Sequence, residues 1–422
     1  MFSMKNGFLN NIRRGLGRAY LELYNSDNRD MYFDTVLYAC LHDCAYDMFF
    51  EGPKSDYLYK MVKLFNVDQQ RDVLAAIVDS LSIKDNHSLT FQKLELLMEY
   101  FHDGFNEARN HIFNHFLAFA SETKKWTREK IDTLEIIAIE IDKAFSLKGT
   151  KQVIKFIMEK HFDPDEFGWY VFRIARRYKK DKVVKEFVEK FSVSDSKKKE
   201  KIYTLDELRK SIDKAFITSF PYHVSKEEFD NVISFLYQSD NIVDINKVLS
   251  AYQQREIKQK LPLDLCLGLL RKFGKEIETE IYKVIEYYNA KEVEKLGLGL
   301  IKTNEHLTDG LIMLFNNYNK KYKNLIVEAY LRIPFSFNRY FAITSETITF
   351  MNHKRKNYPD EILLINFEKS YDSFNREYIF DVMKKRNLLT EDLINECLYD
   401  YDYELKAKAS KIIRSRIKPS NN

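Results

Sequence analysis

Residues 127–145 read TREKIDTLEIIAIEIDKAF, and this stretch decides the fold. Ile131, Leu134, Ala138, Ile141 and Phe145 recur at the three- and four-residue steps of one helix face, while Arg128, Lys130, Asp132 and Lys143 take the other. The same rhythm extends in both directions. In 225–238, SKEEFDNVISFLYQ, Ser225 stands three residues before Glu228 as a capping box, ahead of Phe229, Val232, Ile233 and Leu236 on one face. Thr204 with Glu207 opens another helix in the same way, and Asp163-Pro164-Asp165-Glu166 supplies an N-cap acceptor followed by Pro at the first helical position. Helical segments follow one another from about residue 30 to residue 417, joined by connections of roughly 2–8 residues, which forces antiparallel neighbours.

Composition closes off the alternatives. The chain of 422 residues has 12 Gly and 7 Pro, too few for the Gly-rich turns of a doubly wound or barrel enzyme, or for the frequent turns of a β-sandwich. With 45% hydrophobic residues and a formal charge of +4, it is not a disordered chain. The one stretch with β-branched alternation is 342–350, AITSETITF; with no partner strand in view, an irregular or helical segment is expected there. The expected fold class is all-α, a superhelical stack of antiparallel helix pairs. Its expected organisation is N-terminal helical repeats over 1–191, a polar Lys/Ser-rich linker or long loop over 192–203 (SVSDSKKKEKIY), and C-terminal helical repeats over 204–422.

Two helices and their turns make units of roughly 40 residues, the length of HEAT and armadillo repeats. The ending EDLINECLYDYDYELKAKASKIIRSRI (391–417) resembles HEAT-repeat α-solenoids, in which an Asp and a downstream Arg or Lys often sit near the turn and second helix of each unit. Asp400 or Asp402 with Lys406 or Lys408 are loosely placed for that role. The resemblance is architectural and assigns no catalytic residue. It implies an extended curved surface for macromolecules, and hence a non-enzymatic scaffold holding a protein or peptide in a concave groove.

No motif speaks for nucleotide or hydrolase chemistry. Gly15-Leu16-Gly17 and Gly297-Leu298-Gly299 both lack the third glycine of a dinucleotide fingerprint, and neither follows a strand signal. There is no GxxxxGK[ST] loop and no GxSxG elbow. No cofactor is expected. The four cysteines, Cys40, Cys44, Cys266 and Cys397, are too few for a disulfide framework. No apolar stretch reaches the ~20 residues of a membrane span. A cytoplasmic protein without a membrane partner is therefore expected.

Three groups of residues are candidates for function. The first is a nucleic-acid-binding face. Residues 171–201 carry 12 Lys/Arg against five acids, a net of +7, and Arg173, Arg176, Arg177 and Lys180 follow i, i+3, i+4, i+7. Trp169, Tyr170 and Tyr178 lie close enough in sequence to stack on bases, and cations at helical rise can follow a phosphate backbone. A solvated face with a lysine-rich linker is the plainer alternative. The second group is a metal site of Glu107, His111 and His115, four residues apart on one helix face but without the adjacent Glu of HExxH. The third is the mixed segment 38–59, where Cys40, His42, Asp43, Cys44 and Asp47 could serve redox or metal chemistry, or simply close a turn between two helices. Residues 360–404 carry a net of −7, whereas 405–422 hold six bases and no acid, a polar end suited to capping a stack.

Overall fold

The computed structural model describes residues 2–43, 52–82, 84–162, 164–190, 203–333, 337–352, 358–370 and 373–417. Among them are helices and no strand; an isolated bridge joins Tyr203 to Val224. The chain divides into two compact units: Met1–Asp195 with Tyr371–Asn422, and Ser196–Ser370. The last part of the expected 204–422 block thus belongs with the N-terminal unit. The expected linker 192–203, apart from Tyr203, lies outside the described residues.

In unit 1 the helices are α1 (Phe2–Arg13), α2 (Gly17–Tyr24), α3 (Asp30–Leu41), α4 (Ser55–Val62), α5 (Val67–Ser80), α6 (His87–His102), α7 (Glu107–Glu122), α8 (Arg128–Glu159), α9 (Gly168–Arg177) and α10 (Lys182–Lys190). The first two were not anticipated. Their stripe is Phe8, Ile12, Leu16, Ala19 and Leu23, all buried, but Gly15 and Gly17 interrupt its helical rhythm. The expected helices at 127–145 and 149–161 are distinct: within the span labelled α8, Ser146 takes φ 52°, ψ −143° and breaks the helix between them. Asn66 and Gln69 form a complete capping box at the start of α5.

Unit 2 contains α11 (Leu205–Lys210), α12 (Lys214–His223), α13 (Lys226–Gln238), α14 (Ile242–Ala251), α15 (Leu263–Phe273), α16 (Glu278–Ile285), α17 (Lys291–Thr303), α18 (Leu307–Asn316), α19 (Lys323–Leu331), α20 (Phe337–Asn352) and α21 (Glu361–Lys369). Contacts run between alternate helices: α12 to α14 to α16 to α18 to α20 along one side, and α11 to α13 to α15 along another. Thr204 and Glu207 cap α11 reciprocally. Ser225 caps α13, but the side chain of Glu228 reaches the amide of Leu205 instead of closing the second half of its box. The β-branched stretch 342–350 lies within α20. Two of its threonine hydroxyls are satisfied inside the helix, Thr347 Oγ1 donating to Ile343 O at 2.7 Å and Thr349 Oγ1 to Ser345 O at 3.0 Å, while Thr344 Oγ1 reaches Asn366 of α21 at 3.3 Å. Of the failed glycine motifs, Gly297 sits where α17 crosses α18; a Cβ there would meet the carbonyl of Gly310 at 3.1 Å.

Unit 1 is completed by α22 (Ser373–Lys385), α23 (Glu391–Cys397) and α24 (Tyr403–Ile417), which bring the end of the chain onto its beginning. Helix α23 packs on α2, and Gly17 is the point of closest approach. Beside it the amide of Tyr401 donates to Gly15 O at 2.7 Å, Arg18 Nε binds Glu396 Oε1 at 2.8 Å, and the Tyr20 and Tyr399 rings stack at 5.0 Å. Arg376 and Asp400 form a fully buried ion pair at 2.9 Å. This departs from the HEAT-like pairing: Asp400 answers an upstream arginine, Asp402 caps α24 through the amide of Leu405, Lys406 lies 3.6 Å from Asp56, and Lys408 binds Glu377 and Asp381.

Candidate functional site

Helix α9 has the sequence GWYVFRIARR. Its ten residues have two faces because apolar and polar residues are sorted at helical spacing. Tyr170, Val171 and Ile174 are buried, and α9 packs on α8 and α10. Glu135 of α8 accepts from the amide of Tyr170 at 2.9 Å, meeting one of the unsatisfied donors of the first turn. Trp169, Phe172, Arg173 and Arg176 make up the outward face at i, i+3, i+4, i+7. Its aromatic members are unusually bare: Trp169 is 78% exposed and Phe172 65%. Large aromatics gain most by burial, so two of them adjacent on solvent make this face the candidate contact surface.

The arginines do not all project freely, as the sequence pattern suggested. The bend at Ser146 carries Thr150 back onto Asp142, whose Oδ1 accepts from Thr150 Oγ1 at 2.9 Å and from Tyr178 OH at 2.7 Å. Oδ2 accepts from Arg173 Nε at 2.8 Å and Arg177 Nη1 at 2.9 Å. Burial alone would raise this carboxyl, but the hydrogen bonds from Tyr178, Arg173 and Thr150 and the charge of Arg177 outweigh it and hold it below the usual range. One buried carboxylate thus orients two guanidinium groups and leaves one of their two charges unmatched. Lys180 is not on the helix at all: α9 ends at Arg177, and Lys179 and Lys180 lie in the following turn. Arg176, Lys179 and Lys180 are exposed, and no ion pair holds them among the described residues. Further along, Lys151 pairs with Asp181 at 2.8 Å, and Lys182 and Lys185 approach Glu186 and Glu189 at 3.8 and 3.7 Å.

The other described sequence candidates lie on α7 and at the end of α3. Among the described residues no three His, Cys, Asp or Glu side chains are placed to hold a metal ion. Glu107 is exposed at the first turn of α7, His111 is partly buried, and His115 is buried among Phe116, Phe119 and their neighbours. Burial, helped by the charges of Lys93 and Lys130 and opposed by Asp85, pushes the His115 imidazole down to about 4 from its ordinary 6.5. The unfolded chain therefore takes up this proton first. His115 should leave the fold unaffected above about pH 6.5 and withdraw roughly 3 kcal/mol as the pH falls to about 4. Urea midpoints measured against pH should show this acid limb, and His115→Gln should flatten it.

Cys40 is buried in the core, while His42 lies outside it, stacked on Tyr38 with ring centroids 3.8 Å apart. The polar groups here finish α3. Gln92 Nε2 donates to the carbonyls of Ala39, Cys40 and His42 at 2.9, 3.2 and 2.8 Å. Asp43 is exposed. Cys44 and Asp47 lie outside the described residues.

Several charged clusters carry no local sequence signal, because members of each come from distant helices. In unit 1, Lys143 bridges Glu95 at 2.9 Å and the buried Glu140 at 2.7 Å; burial pushes Glu140 up to about 7. In unit 2, His306 is in the left-handed region at φ 46° between Asp309, 3.2 Å from Nδ1, and Glu278, 3.4 Å from Nε2. Nearby, Arg255 binds Glu346 at 2.9 Å, and Tyr287 OH donates to Glu346 at 3.1 Å. Burial holds Glu286, next in sequence to Tyr287, well above the usual carboxyl range. These groups tie α16, α18 and α20 together. For function, the signal that periodicity reading passed over is Phe172, which reads as one more core aromatic until α9 is seen to face it outward.

The chain matches no protein-family model, and no curated protein or solved structure is similar to it. Among the described residues no helix is long and apolar enough to cross a membrane.

Proposed function

We propose that this chain is a non-enzymatic binding protein that holds a polyanionic macromolecule against the outward face of α9. One observation carries the reading: two bare aromatic rings, Trp169 and Phe172, lead into Arg173 and Arg176 along one face of a helix whose following turn adds Lys179 and Lys180. Aromatic faces and cations in one row suit nucleic acid, which offers bases and phosphates in the same repeat. The surrounding segment is cationic in sequence as well, with a net of +7 over 171–201.

The alternate-helix contacts in unit 2 support the stacked, HEAT-like hairpin architecture expected from the sequence. A protein or peptide bound on the same α9 face is the second reading, since Trp and Arg dominate protein-binding hot spots. Charge decides the order: the uncommitted cations Arg176, Lys179 and Lys180 favour a polyanion. The buried cysteines Cys40, Cys266 and Cys397 are consistent with a reducing, cytoplasmic setting.

The test is retention on immobilised heparin across a salt gradient. Arg176→Glu, Lys179→Glu and Lys180→Glu, made together, leave the Asp142 anchor intact and should move elution to markedly lower salt. Unchanged elution would remove the polyanion reading and return the face to a protein partner.

A further inference from the structure

We infer that the ligand of the α9 face is single-stranded nucleic acid, with unpaired bases stacked on Trp169 and Phe172 and the adjoining phosphates held by Arg173, Arg176, Lys179 and Lys180. This rests on the polyanion-binding reading and narrows it. The rings decide strandedness. In a duplex the base faces are stacked on one another, so two exposed rings would meet only sugar and phosphate. A single strand offers every base a free π-face. From Trp169 to Arg176 is seven residues of helix, or ~10 Å, the rise of about three stacked bases.

The arrangement is prepared in advance. Tyr170 and Ile174 fix α9 from below, so the rings need not be turned out on binding. Asp142 takes Nε of Arg173 at 2.8 Å and leaves the rest of that guanidinium facing outward, the side chain being 36% exposed. Asp142 is thus a positioning residue, and Arg173 is a donor whose rotamer is set before the ligand arrives. Nothing in the arrangement selects a particular base, because stacking is sequence-tolerant.

Fluorescence anisotropy with a labelled oligothymidylate, and with a duplex of the same length, tests the inference on the full chain. The single strand should bind at least ~10-fold more tightly than the duplex, and Trp169→Ala with Phe172→Ala should weaken it ~10-fold or more and erase the preference. With four phosphates neutralised, affinity should fall about 50-fold between 50 and 200 mM salt, and less steeply in Arg176→Gln with Lys180→Gln. Equal affinity for the duplex, or a double-alanine variant as tight as the parent, would overturn the single-strand inference. If the heparin shift of the charge-reversed variant still holds, the polyanion reading survives that failure. If that shift is absent as well, both are lost.

Discussion

Gly17→Ala is expected to loosen the end of the chain from its beginning. A Cβ at this position would run into the carbonyl oxygen of Glu396 and stand 2.9 Å from the amide of Asp400. Both are backbone atoms, which no side-chain rotamer can move aside. Helix α2 or α23 must retreat, and with it go the Tyr401 to Gly15 hydrogen bond, the Arg18–Glu396 pair and the Tyr20–Tyr399 stack. The clash exceeds ordinary overpacking, so the cost should be about 4 kcal/mol. Gly7→Ala is the control: nothing lies within 4 Å of a Cβ there, and in the helix interior it should be neutral or stabilising. Urea unfolding gives the difference, and limited proteolysis should find the segment from α22 onward newly accessible in Gly17→Ala alone. A variant as stable and as protected as the parent would mean that α23 does not sit on α2 in this way.

Asp142→Ala should cost about 3 kcal/mol. The carboxylate is buried and takes four side-chain donors, from Thr150, Tyr178, Arg173 and Arg177. Its removal leaves Tyr178 without its acceptor beside the bend at Ser146, and leaves Thr150 only the carbonyl of Ser146 at 3.1 Å. Arg173 and Arg177 are partly exposed and regain water, which is why the loss stays short of the 5 kcal/mol seen for fully enclosed pairs. The sign of the pH dependence follows from the low carboxyl. The stabilisation is present above the ordinary aspartate range and is lost as the pH falls through and below it, and Asp142→Asn should lack that acid-side loss. Chemical denaturation of both variants, run from neutral to acid pH, checks the cost and the sign together.

How much of this was legible depended on sequence distance. The long helix around Ile131–Phe145 was plain because its stripe repeats within one segment, and the caps at Thr204 and Ser225 because a box needs only four residues. Helices α1 and α2 were missed because two glycines break the stripe; those glycines were noticed only as a failed nucleotide motif. Their reason lies almost four hundred residues away, where Glu396 and Tyr401 press against them. Long-range partners also explain why the cations around α9 are not equivalent. The spacing of Arg173, Arg176, Arg177 and Lys180 suggested four equivalent cations, but an acid on α8 had already taken two of them, and the helix ended before the fourth. The histidine pair at 111 and 115 met the spacing for a metal, yet periodicity also turned His115 into the apolar core. For α9 the local pattern gave the helix, and a carboxylate on another helix decided what its arginines do.

The two tryptophans, Trp126 and Trp169, allow the central claim to be tested at one ring. Trp126 is packed among Phe119, Phe156 and Phe162, so Trp126→Phe keeps an aromatic there and leaves Trp169 as the only indole. Titrating that variant with unlabelled oligothymidylate while following indole emission reports directly on α9. Saturable quenching, with a midpoint that moves to higher ligand concentration as salt is raised, is the predicted result. Emission that stays constant while anisotropy shows the oligonucleotide bound would place the ligand elsewhere and contradict the account.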